Sequence, residues 1–346
     1  MKKLLSIFII GLLIISILPV TWAKSGGTQN FVVKPTLDFE FVGNFSDGLS
    51  PVKKNGKWGF VDKTGKVVIP IMYDFVDIFS EGFARASKNG KWGFIDKKGK
   101  VVVPFNYDDA LNFSEGLAAV KKNEKWGYID KKGKIVISLS YDYAGMFSEE
   151  LAAVSKNGKW GYINKSGKTV VSLVYDYAGK FSGGLAEVLK NGKWSFINKT
   201  GKVVTAIKFS CEGDFSEGFI AVEKDNKYGF VNRTGKVVVP VQYDEVGDFS
   251  EGLAAVQKEN KWGFVNSSGK IVIPTQYDGA GKFSEGLAAV NKGMKWGFVD
   301  KTGKIVVPIL FENVSAFSEG LAWVKKDGKW GIISNPLKTS KSTKNK

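Results

Sequence analysis

The 346-residue chain has no histidine, one cysteine and two arginines. The absence of His excludes imidazole-based triads, imidazole metal sites and the commonest general base. Cys211 has no second cysteine to pair with, so an exported form of this chain is held by packing and not by disulfides. Arg85 and Arg233 are the only arginines, and every other cation is Lys. Lysines act as point charges and lack the fork with which Arg recognises phosphate.

The chain does contain one long apolar run, at its start: MKKLLSIFIIGLLIISILPVTWAK. Lys2 and Lys3 precede an apolar stretch from Leu4 to Val20, and Ala23 supplies the small residue of a cleavage site. Residues 1–23 are expected to be a secretory signal peptide, which places the protein outside the cell or on its surface. The run is also long enough for an uncleaved N-terminal anchor, since spanning takes about 20 apolar residues. No Cys follows it to carry a lipid. Loss of Lys2 and Lys3 lowers the net charge from +16 to +14. That balance fits attraction to anionic polymers, or Lys guarding β-sheet edges against aggregation.

The rest of the chain repeats. Trp58, Trp92, Trp126, Trp160, Trp194, Tyr228, Trp262, Trp296 and Trp330 stand 34 residues apart. Phe45, Phe79, Phe113, Phe147, Phe181, Phe215, Phe249, Phe283 and Phe317 keep the same step. Nine copies without insertion or deletion set the architecture ahead of any other signal. The array is expected over 31–333, after the leader, and the Lys-rich polar stretch 334–346 is expected to be a disordered tail.

Each copy reads as strands. LSPVKK is followed by Asn55-Gly56, a strong hairpin signal, and then by KWGFVD. Lys63-Thr64-Gly65 reads as a turn with Gly in the left-handed region, leading into KVVIP. The connector IMYDFVDIFSEG has room for a short fourth strand. Trp58, Phe60 and Asp62 alternate with Gly59 and Val61, so both faces of the sheet are apolar and both need cover. Large aromatics of one sheet are expected to settle over the Gly of the next. The fold class expected is all-β: nine antiparallel meanders in an open twisted stack or superhelix, about 90 Å long at the usual sheet spacing. A closed, propeller-like ring is the alternative. NFVVKPTLDFE at the start would then supply the strand missing from the last copy, which ends at WGII.

The phrase GLAAVKKNEKWGYIDKKGKIV at 116–136, with its flanking YD and FSEG pieces, resembles the WG-repeat, or KWG-repeat, family of bacterial proteins. The resemblance covers nearly all of the chain after its leader. It implies a structural or interaction module and brings no catalytic residues to assign.

Direct search for chemistry agrees. GKT at 167–169 lacks the Walker glycine, because position 162 is Tyr, and other copies read GKV or GKI there. Asp62, Asp74 and Glu81 have counterparts in later copies, and position 62 becomes Asn at 164, 198, 232 and 266. A catalytic carboxylate pair is singular, so these read as turn caps and partners for Lys. The binding candidates are the Trp series, the tyrosines of the YD phrase (Tyr73, Tyr107, Tyr141, Tyr175, Tyr243, Tyr277), and the Lys before each Trp (Lys57, Lys91 and successors). One copy is irregular: Ser195 replaces Gly, Thr205 replaces Pro, Phe209-Ser210-Cys211 replaces the Tyr-Asp phrase, and Tyr228 replaces Trp. Glu150 is a second, isolated departure.

The sequence therefore predicts a non-enzymatic, monomeric binding scaffold with no cofactor, metal or catalytic residue and no specific nucleic-acid partner. The expected partner is a protein or an anionic cell-envelope polymer. A glycan bound on aromatic rows is the alternative.

Overall fold

The computed structural model describes residues 30–339, which form a nine-bladed β-propeller. Each blade is a four-stranded antiparallel sheet. In blade 1 the strands are Phe41–Val42, Leu49–Lys54, Lys57–Asp62 and Val67–Tyr73. Blades 2 to 8 begin at residues 75, 109, 143, 177, 210, 245 and 279. Blade 9 takes three strands from 313–334, and its fourth is Phe31–Leu37, from the beginning of the array.

This corrects the open stack. Phe31–Leu37 lies antiparallel to Lys329–Ser334, pairing Phe31 with Ile333 and Leu37 with Trp330. The seam is packed like any other interface. Val42, Phe45, Val52 and Val61 of blade 1 share one buried cluster with Leu321, Trp323, Trp330 and Ile332 of blade 9. Trp323 Nε1 donates to Ser50 Oγ at 2.9 Å, and Glu319 accepts from Gly48 N. The terminal strand decides between the two architectures. Two-sided apolar sheets need a neighbour on each face, and an open stack would leave both end blades uncovered.

The core lies between blades. Alternate residues of the second strand face opposite neighbours: Leu151 and Ala153 of blade 4 meet Ala178 and Phe181 of blade 5, whose Ala186 and Val188 face back. The expected seat of Trp over the next sheet's Gly is also corrected. A Cβ on Gly59 would lie 2.6 Å from Ile69 O and 2.8 Å from Ile71 Cα, both in its own blade. The fourth strand bulges across that Gly: Phe60 pairs with Ile69 and Trp58 with Tyr73, so two steps on one strand face four on the other.

Blade 5 tests this relation. With Ser195 in place of Gly, Trp194, Ser195 and Phe196 pair with Ile207, Ala206 and Thr205 in even register, without a bulge at that point. The fourth strand shortens to Val203–Ile207, and blade 6 begins with a longer strand, Ser210–Ser216.

The C-terminal stretch expected to be a disordered tail starts inside the fold. Ser334 ends the last strand, Asn335 is buried with its Nδ2 donating to Glu285 O, and Pro336–Thr339 form a helical turn. Residues 340–346 and the leader 1–23 lie outside the described residues.

Candidate functional site

Antiparallel strands give the ring two ends. One carries the Ser-Glu-Gly turns and the turns after each third strand. There the Glu, held at positive φ, caps the next blade: Glu81 accepts from Gly116 N, Glu251 from Gly286 N and Glu285 from Gly320 N. Lys131 and Lys301 add ion pairs to Glu81 and Glu251. Asp62 accepts from Thr64 N, Thr64 Oγ1 and Lys66 N in the adjacent turn. The carboxylates of the repeat are therefore caps and latches, as their recurrence implied.

The other end carries the Asn-Gly hairpins and the Tyr-Asp corners. Here the sequence candidates are redistributed. Most of the Lys before Trp are bound to the Asp of their own corner: Lys57–Asp74 at 2.6 Å, Lys91–Asp108 at 2.7 Å, Lys125–Asp142 at 2.6 Å and Lys159–Asp176 at 2.6 Å. Lys227–Asp244 and Lys261–Asp278 follow, and Lys329 reaches Asp38 across the closure. The Lys hydrogen bond holds the Asp74, Asp108 and Asp142 carboxyls below their usual range. The Lys row is largely neutralised in place. Tyr73, Tyr107, Tyr175, Tyr243 and Tyr277 are buried, and Tyr141 is half-buried. These tyrosines end the fourth strand, most of them opposite Trp, and belong to strands and not to connectors; Tyr175 borders a space of about 280 Å³ beside Lys190 and Ser195. The Trp series is buried or half-buried.

The exposed aromatics are a row the sequence reading passed over, one residue after the Asp. Phe41, Phe75, Tyr143 and Tyr177 keep 53%, 36%, 41% and 38% of their surface in solvent. They alternate with the Trp series in edge-on or tilted contact. Phe41–Trp58–Phe75–Trp92 are linked by centroid distances of 5.3, 5.6 and 5.6 Å. Trp126–Tyr143–Trp160–Tyr177–Trp194 continue at 5.7, 5.1, 6.0 and 5.6 Å. Asp109 interrupts the row, and beyond Tyr177 the strand positions that pair as Phe75 does are Ser210, Glu245, Gly279 and Asn313. The result is an aromatic arc over blades 1 to 5 and a polar remainder. The signal was present as aromatic residues after Asp or Glu in four copies. It was masked because Phe and Tyr there look like core.

The spaces between blades differ because one pair of positions varies. In the second strand the residue facing the next blade is Pro51, Arg85, Ala119, Ala153, Glu187, Ala221, Ala255, Ala289 or Trp323. It faces Gly43, Asp77, Leu111, Gly145, Gly179, Glu212, Gly247, Gly281 or Ser315 on the first strand or its continuation. Arg85 fills its space, with Nε donating to Asp77 Oδ2 at 3.0 Å, Nη1 to Ala110 O, and its guanidinium 4.8 Å from the Trp92 ring. Trp323 is fully buried at the seam, where a space of about 330 Å³ between blades 9 and 1 stays open beside Phe41, Asn313, Ser315 and Trp330. Two of the open spaces have aromatic walls on both sides. A cavity of about 550 Å³ between blades 1 and 2 is lined by Phe41, Trp58, Phe75, Pro51, Lys53 and Asp77. One of about 270 Å³ between blades 4 and 5 is lined by Tyr143, Trp160, Tyr177, Ala153, Lys180 and Asp214.

Glu187 is the exception among the fillers. It is fully buried against Gly179, and neither carboxyl oxygen has a hydrogen-bond partner. Burial pushes its carboxyl up to about 8, and Asp214 adds to the effect. Burial likewise pushes the neighbouring Cys211 thiol up to about 12, which leaves it an unreactive thiol.

A family model described as a WG containing repeat matches nine consecutive segments: 28–58, 58–92, 92–126, 126–160, 160–194, 194–228, 228–262, 262–296 and 296–330. A comparison with curated proteins finds no match. Among solved structures, the chain is similar to that of a eukaryotic initiation factor, at 10% identity over 87% of this chain and 93% of that one, with a TM-score of 0.57. It is similar to Kluyveromyces lactis Hsv2 at 10% identity, over 74% and 94%, with a TM-score of 0.42. PorZ, a bacterial surface component of the type-IX secretion system of Porphyromonas gingivalis, is 12% identical over 87% of this chain and 52% of that one, with a TM-score of 0.36. The first of these is a likeness of fold.

Proposed function

The chain belongs to the WG containing repeat family, and from that premise we propose that it is a non-enzymatic binding scaffold, secreted or held at the cell surface. Its ligand-binding surface is the aromatic arc on the corner end of blades 1 to 5. The observation that carries this reading is the partial exposure of Phe41, Phe75, Tyr143 and Tyr177 on one side of the ring only. Core packing would call for aromatics in every blade, whereas a binding surface needs them only where the ligand lies. The apolar leader at 4–20 supports export.

A pull-down of the protein against isolated cell envelope and culture medium tests the proposal. Capture should survive high salt and fall when Tyr143 and Tyr177 are replaced by Ala. The net charge of +16 supports a second reading, an anionic envelope polymer. Capture that collapses as salt rises and ignores those two substitutions would favour it.

A further inference from the structure

We propose that the grooves between blades 1 and 2 and between blades 4 and 5 are two subsites for one neutral glycan chain. This rests on the reading of the aromatic arc as the binding surface and names the ligand class.

The two grooves are built alike. Each has a Trp floor, Trp58 or Trp160, between two half-exposed aromatic walls, Phe41 and Phe75 or Tyr143 and Tyr177. Small residues hold each open, Gly43 beside Pro51 and Gly145 beside Ala153. Among the described residues, no other junction between blades has an aromatic wall on both sides. Arg85 and Glu187 stand in two of them, and the space between blades 9 and 1 has Phe41 on one side but Asn313 on the other. The three junctions from blade 6 to blade 9 have walls drawn from Ser210, Glu245, Gly279 and Asn313. Coincidence of the open pair with the aromatic pair, twice and three blades apart, is what drift of a core residue would not produce.

The polar groups select the ligand. Lys180 and Asp214 form an ion pair at 3.0 Å at the edge of one groove, and Lys53 stands with Glu40 and Asp77 at the other. Each groove offers donors and acceptors with little net charge. A polyanion gains no attraction from such a site, while sugar hydroxyls find partners of both kinds. The apolar C–H face of a pyranose lies flat on an aromatic ring, and Tyr and Trp present such rings with a polar edge. Apolar linings with a few placed polar groups are the usual form of small-ligand sites. The grooves lie a third of the way round the ring from each other, so a chain long enough to reach both is bound bivalently.

The test measures binding of the full protein to cellohexaose, chitohexaose, mannohexaose and the matching soluble polysaccharides, at low and high salt. At least one polysaccharide should bind with no loss at high salt. Tyr143→Ala with Tyr177→Ala, or Phe41→Ala with Phe75→Ala, should each weaken polysaccharide binding about a hundredfold by removing the second contact. Tyr143→Phe with Tyr177→Phe should keep the stacking and most of the affinity, and Asn313→Ala should change nothing. Thermal melting of every variant establishes that the ring is intact. Failure of all these saccharides to bind overturns the glycan assignment, as does displacement from envelope by a polyanion or a proline-rich peptide only. In that event, loss of envelope capture in the Tyr143/Tyr177 pair leaves the arc as the binding surface, whereas unchanged capture removes the arc reading itself.

Discussion

The carbonyl oxygen of Ile69 lies where a Cβ of Gly59 would have to go, 2.6 Å from it. The same approach recurs at Gly93 with Val103 O, Gly127 with Ile137 O and Gly263 with Ile273 O. The invariant-looking Gly beside Trp is thus required by the bulged fourth strand of its own blade. Where Ser195 replaces it, the bulge is gone and the strand is two residues shorter.

Replacement of Gly93 by Val should therefore destabilise the ring by more than the roughly 1–3 kcal/mol typical of overpacking, because the clash is with backbone that cannot change rotamer. Ser195→Gly, at the blade without the bulge, should cost less than about 1 kcal/mol, the entropy of a strand glycine. Urea midpoints of the two variants check the contrast, and equal losses would sink the account.

Glu187 should make stability depend on pH. Its carboxyl is raised from the ordinary 4.5 to about 8 in the folded ring, so the folded state holds the proton more tightly. The stability it contributes is full below pH about 4.5 and is lost as pH rises through about 8. Glu187→Gln should match the wild type near pH 5 and exceed it by on the order of a few kcal/mol near pH 9. Thermal melts across that range decide the matter, and a constant difference would show that Glu187 does not titrate there.

Closure should be cooperative. Trp323→Ala removes a fully buried indole and its hydrogen bond to Ser50 across the seam, at an expected cost of about 3–5 kcal/mol. Removal of residues 30–37 should strip Lys329–Ser334 of its edge partner. Small-angle scattering should then show expansion from a compact disc, or association through the bared strand. A compact monomer without those residues would contradict closure by this strand.

The Lys57–Asp74 pair is solvent-exposed, and such pairs contribute about 0–1 kcal/mol. Asp74→Asn should leave the urea midpoint almost unchanged. It should strengthen capture on an anionic resin slightly, because Lys57 is released. A large loss of stability would mean that the corner depends on this carboxylate.

The sequence by itself determined the unit, its number, its hairpins and turns, and the recurrence that makes its carboxylates structural. These are local properties: a 34-residue period, Asn-Gly, and Gly65 at positive φ are all legible within one copy. It also offered the closing strand, since NFVVKPTLDFE has the right phase to complete the last copy. Only the tertiary structure decided that this strand reaches Lys329–Ser334, because the curvature of the array depends on how each blade twists against the next and not on any single repeat. The same holds for the surface. Tyr73 and Phe75 are both aromatic and two residues apart, yet Tyr73 is buried opposite Trp58 and Phe75 stands in solvent between two indoles. A strand followed by a corner gives no fixed alternation across the bend, so only the placement of the next blade determines which ring is left to meet a ligand.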